Sequence, residues 1–124
     1  MTIALTLRDQ VMARPAEPSL VLPWREGVPM RLADLIRERV WLEWDRREDE
    51  ADGAGRPLVE TGASRGGPRR LTRDEAVAVA LEGFRRNAFF VVVDDRQVTE
   101  LDAEIRIRPE TAITFVRLVP LVGG

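Results

Sequence analysis

The spacing of apolar residues changes along this chain, and that change limits the possible folds more than any other feature. Ile3, Leu5 and Leu7 alternate with polar or small residues from Thr2 to Arg8, which is the period of a half-buried strand. Residues 9–18 hold two prolines and read as a connecting loop. Ser19 to Trp24 forms a second strand, so the chain opens with a hairpin. Pro23 fits best near an end of that strand, because it has no N–H to give to a ladder. From Arg31 to Arg47 the period becomes helical: Leu32, Leu35, Ile36, Val40 and Trp44 fall on one face. No Ser, Thr or Asp stands at the start of this helix as a cap. Trp41 flanks the apolar face, where extra core cover and a ligand platform are both open to it.

The pattern breaks over residues 48–70, which carry five glycines and two prolines. This segment reads as a mobile surface excursion, with Pro57–Glu60 as a short edge strand inside it. Arg65, Arg69 and Arg70 read as a solvated loop, with a phosphate patch as the alternative. Thr72 and Glu75 then have the spacing of a capping box, which predicts a helix over 72–87. Its apolar face is Ala76, Val77, Ala80, Leu81 and Phe84, and Asn87 is its expected C-cap. Gly83 inside the helix costs about 1 kcal/mol relative to Ala, which close packing would explain. Phe89–Val93 is an unbroken apolar run, expected to be a strand covered on both faces and central in its sheet. Residues 94–96 make a turn, followed by short strands at Gln97–Val98 and Ile105–Arg108. Ala112–Val119 is the final strand, with Ile113 and Phe115 on one face and Thr114, Val116 and Leu118 on the other. Phe115 and Val92 are expected in the core.

Composition narrows the chemistry. The 124 residues fit one domain, and 44% hydrophobic with 32% charged residues is an ordinary globular balance. Cys, His and Tyr are all missing. Thiolate catalysis, disulfides and sulfur or imidazole metal ligands are therefore excluded, which argues against an enzyme. All 19 basic residues are Arg, so no side-chain amine can accept an acyl group. A net charge of −2 gives no electrostatic footprint for nucleic acid. No apolar run has the length of a signal peptide's hydrophobic region or a membrane span, and a cytoplasmic protein is expected.

The order hairpin, helix, excursion, strand, short strand, long strand resembles the β-grasp fold of ubiquitin and its bacterial relatives. The last ten residues, FVRLVPLVGG, look like the ending of ubiquitin-like modifiers and of sulfur carriers in thiamine and molybdopterin synthesis. The stretch FFVVVDDRQVTELDAEIRI is similar to the central strand and turn of those carriers. The nearest likeness is to bacterial ubiquitin-like proteins encoded beside adenylating, conjugating and deconjugating enzymes, an arrangement associated with antiphage defence. The resemblance covers residues 89–124 and extends to 1–47, while 48–88 depart from the minimal pattern.

The resemblance implies an α+β fold of the β-grasp type, a mixed sheet packed on a helix with an inserted loop and second helix. Residues 1–119 would form the domain, with 48–70 a flexible excursion, 72–87 the inserted helix and 120–124 a flexible tail. It implies that Gly124, with Gly123 before it, carries the carboxylate that an ATP-using adenylating partner activates. Glycine's missing Cβ would let the tail approach the nucleotide closely. Val116, Leu118, Pro120, Leu121 and Val122 would dock partners, which include conjugating and deconjugating enzymes and target proteins, with cover of the strand's face by the excursion or second helix as the alternative. No catalytic residue, metal or cofactor of the chain's own is expected, nor nucleic acid or a membrane. The alternatives are a sulfur carrier using the same activation step, and an interaction domain whose Gly-Gly is accidental.

Overall fold

The computed structural model describes residues 1–49 and 71–118. The expectations placed on residues 50–70, the edge strand among them, and on residues 119–124 lie outside the described residues. The elements are β1 (Thr2–Val11), β2 (Glu17–Arg25), β3 (Met30–Arg31), α1 (Leu32–Asp49), α2 (Arg73–Arg85), β4 (Phe89–Val93), β5 (Arg96–Val98), β6 (Glu104–Ile105) and β7 (Ile113–Arg117). They make an α+β fold around a mixed five-stranded sheet in the order β2-β1-β7-β4-β5, with a small β3-β6 sheet beside it.

The opening hairpin is longer than its local pattern. β1 continues through Asp9, Gln10 and Val11, and β2 begins at Glu17, so the connecting loop is shorter than residues 9–18. The reason is a distant partner: Leu7–Val11 pair in parallel with Ile113–Arg117. Across the hairpin, a bulge leaves Ser19 outside the register, and its hydroxyl donates to the Leu7 carbonyl at 3.2 Å. Pro23 lies opposite Ala4 within the ladder rather than at a strand end. It is tolerated there because β2 is an edge strand.

One face of the sheet is closed by the helices. Ile3, Leu5 and Leu7 of β1, Leu22 of β2, Phe89 and Val91 of β4, and Ile113 and Phe115 of β7 pack with Leu32, Leu35, Ile36 and Val40 of α1 and Ala80 of α2. β4 is not central, since β7 holds that place, and its two faces are unequally buried. Phe89 and Val91 are buried, whereas Phe90 and Val92 are only half-buried. Val92 pairs with Thr114 on the face away from the helices, so strand parity gives Val91 the core position expected of Val92. Phe115 is fully buried and sits between the Phe89 ring, at 6.2 Å, and the Arg39 guanidinium, at 4.5 Å.

Local chemistry ends the helices. Both halves of the Thr72–Glu75 capping box are present. At the other end of α2 the cap is Arg86, and Asn87 follows it at φ +61°. The Asn87 N–H donates to Phe84 O and the Ala88 N–H to Gly83 O, a Schellman ending that places Asn87 one position beyond the expected cap. α1 is capped from elsewhere in the chain. Its first amides, Leu32 and Ala33, donate to the carbonyls of Ala103 and Leu101, and the Asp34 carboxylate accepts from the Arg31 N–H. Trp41 carries the guanidiniums of Arg37 and Arg73 over its ring, at 5.4 and 4.4 Å, and so joins α1 to α2. Asp94 and Asp95, both at positive φ, form the two-residue turn between β4 and β5. Residues 106–108, expected as part of this strand, have no ladder partner, because β6 pairs only with the short β3.

Arg39 is the one fully buried charge among the described residues, at 1% exposure. It grips Asp9 of β1 with both terminal nitrogens, the Nη2–Oδ2 distance being 2.9 Å, and its Nε lies 3.7 Å from Glu43.

Two stability tests follow from this core. Phe115→Ala should cost about 3–5 kcal/mol, as other large-to-small core changes do. An unchanged melting temperature would show that the β7 register is wrong. Asp9→Ala should cost about 3 kcal/mol, because it strands a buried guanidinium. Arg39→Met should cost less, since the partly exposed Asp9 can be rehydrated. Urea unfolding of both variants decides the point, and equal losses would mean that the buried charge is not what the pair relieves.

Candidate functional site

The candidate site is the end of the sheet from which β7 leads towards the Gly-Gly sequence. Parallel pairing puts Val11 beside Arg117 there, and the Met12 N–H donates to the Arg117 carbonyl at 3.1 Å. The Leu118 N–H reaches Ala88 O at 3.4 Å. Val11, Met12 and Leu118 are exposed by 36%, 46% and 41%, so large apolar side chains from β1, its turn and the chain beyond β7 meet solvent at one end of the molecule. Grouped apolar exposure of this kind suits a partner better than water.

Backbone geometry holds the turn in place. Met12 has φ +52°, a left-handed conformation that a long side chain seldom adopts. The Arg14 N–H closes the turn onto Val11 O at 3.0 Å, and the Gln10 amide donates to Met12 O at 3.0 Å. Strain of this kind persists only where surrounding bonds overdetermine it, here the Arg117 pairing and the Gln10 clamp.

Of the expected docking residues, Val116 lies on the face away from the helices at 7% exposure, with Phe90 and Gln10 as its cross-strand neighbours. Leu118 is exposed. Pro120, Leu121, Val122, Gly123 and Gly124 lie outside the described residues. Among the described residues, half-buried Phe90, Val92 and Thr114 adjoin the buried Val116 on the sheet face that carries no helix, bordered by Arg8 and Gln10. Val11 and Met12 were missed by sequence reasoning because residues 9–18 read as loop. The available signal was an apolar pair inside an otherwise polar stretch.

Asp9, Arg39 and Glu43 are committed to one another beneath Phe115. Among the described residues, no group of three or more carboxylates is placed to hold a metal ion. No helix among them is long and apolar enough to cross a membrane. No protein-family model, curated protein or solved structure matches the chain.

Proposed function

We propose that this chain is a ubiquitin-like protein modifier of the β-grasp type, activated at the carboxylate of Gly124. The observation that carries the reading is the strand order β2-β1-β7-β4-β5, in which the first strand and the last are parallel neighbours. That order is compatible with the β-grasp fold that the resemblance implies. It aims the final strand out of the sheet beside Val11, Met12 and Leu118, seven residues before Gly124 in the sequence FVRLVPLVGG.

In this reading the chain supplies a handle and a docking surface, and partners supply the catalytic groups. A carboxylate oxygen of Gly124 attacks the α-phosphorus of ATP on the adenylating partner, and pyrophosphate leaves. A thiol, amine or hydroxyl then attacks the acyl carbon and AMP departs. ATP is consumed by the partner, which places the reaction in the cytoplasm. Conjugating and deconjugating enzymes and target proteins complete the partner set. Attack by sulfide instead would make the chain a sulfur carrier, and the same docking surface would serve it.

The deciding experiment is incubation with the cognate activating enzyme and ATP, followed by intact-mass analysis. Deleting Gly123 and Gly124 should abolish adenylate formation. It should leave the thermal midpoint within about a degree or two, as changes remote from packed features do. A truncated protein that is still activated at the normal rate sinks the proposal and leaves the interaction-domain reading. A second test uses the missing Lys. Any linkage of one copy to a side chain of another must be an ester to Ser or Thr, so hydroxylamine should release it, whereas amide links to the lysines of targets should survive. Hydroxylamine-resistant side-chain linkage between copies would contradict this chemistry.

A further inference from the structure

We infer that the cleft between residues 26–29 and 104–108 is a docking groove for an extended peptide segment of a partner, one that alternates acidic and apolar residues. The inference stands apart from the carrier reading, because it rests on the opposite end of the sheet.

The groove exists because a ladder splits. β3 and β6 pair at Met30–Ile105 and Arg31–Glu104. Continuing that register would bring Pro29 to Arg106 and Val28 to Ile107. Pro29 has no N–H to offer. The Val28 N–H is turned to Arg25 O at 3.2 Å, and its carbonyl accepts from Trp24 Nε1 at 2.9 Å. Gly27 makes the divergence possible with φ +86°. The two segments separate around a cleft of about 610 Å³, lined by residues 26–29 on one wall and by Glu104, Ile105, Arg106, Ile107 and Arg108 on the other.

The 106–108 wall has the properties of an unused strand edge. The Ile107 N–H and carbonyl make no hydrogen bond with other described residues. Its side chain is buried in the core, which anchors the segment. Thr111 braces it from behind: its hydroxyl accepts from the Arg108 N–H at 2.8 Å and donates to Arg106 O at 3.4 Å, and its own N–H reaches Arg108 O. A backbone segment already fixed by these bonds and by the buried Ile107 side chain costs an incoming strand little ordering entropy. Arg106 and Arg108, two residues apart around Ile107, are exposed and form no ion pair among the described residues. They favour carboxylates at alternate positions of the incoming segment. Val28, exposed on the far wall, favours apolar residues between them, and Glu26 and Glu104 confine the carboxylates to the stretch facing Arg106 and Arg108 by disfavouring an unbroken acidic run.

Position gives the groove its use. The Glu26 N–H bonds to Met1 O, so the cleft lies at the start of β1, while Val11, Met12 and Leu118 lie at its end. Ten residues of strand separate the two by roughly 30 Å. A partner in the groove and an enzyme on the tail can therefore be held at the same time.

The test is a titration of the isotopically labelled full chain with the capped peptide Glu-Val-Glu-Val-Glu, followed by amide NMR, with Arg-Val-Arg-Val-Arg as its counterpart. The acidic peptide should shift the Ile107, Arg108 and Val28 amides and slow hydrogen exchange at Ile107. The double variant Arg106→Glu, Arg108→Glu changes only exposed side chains and should keep its melting temperature while binding on the order of tenfold more weakly. Absence of shifts at these amides, or an equal response to the basic peptide, overturns the inference. So does unchanged binding by the folded double variant.

Discussion

The parallel pairing of β1 with β7 is the constraint on which the rest of the molecule depends. It joins the first strand to the last, so both helices and the β4–β5 hairpin lie within the loop it closes. Parallel neighbours cannot be joined by a tight turn and need a crossover, which α1, α2 and the segments around them supply. The entropy cost of closing a long loop grows only slowly with its length, and here burial of Leu7, Ile113 and Phe115 along the seam offsets it. The same pairing lengthens β1 to Val11 and seats Met12 against Arg117, so one interaction builds both the sheet centre and the surface at its end.

Arg39 ties the helical layer to that seam. A buried guanidinium loses its hydration, and the geometry must return what is lost. Asp9 meets it from β1, Glu43 from the next turn of α1, and the face of Phe115 lies against it from β7. A planar, delocalised cation can be clamped edge-on and stacked face-on at once, which a Lys ammonium cannot. In a chain whose every base is Arg, this position is one where the guanidinium has a specific structural use. The stacking of Arg37 and Arg73 on the Trp41 ring applies similar physics where α1 meets α2.

Elements specified by nearby residues were legible in the sequence. The Thr72–Glu75 box, the apolar face from Leu32 to Val40, and the alternation of Ile3, Leu5 and Leu7 each act within a few residues, and each stands in the structure as its spacing indicates. What was misread depended on remote partners. The cap of α1 comes from carbonyls at 101 and 103, the end of β1 is set by β7, and Ile107 has no ladder partner because Val28 turns away from it. At the candidate site, Leu118 was legible from its place in the apolar stripe that leads to the Gly-Gly sequence. Val11 and Met12 were not, since nothing local shows that a supposed loop is held beside Arg117.

The sequence by itself determined the kinds of element, the faces that bear apolar side chains, and the absence of thiol, imidazole, phenol and amine side chains. Those properties follow from residue identity and from spacings of two or of three to four, which backbone geometry imposes wherever the chain lies. Tertiary structure alone decided that β7 and not β4 takes the centre of the sheet, that the described helices pack on one face of it, and that Arg39 is buried while Arg106 and Arg108 are not. The physical reason is that pairing and burial are settled by competition among residues far apart in the chain. A local pattern can say that a face is apolar, but only the assembled fold says what covers it.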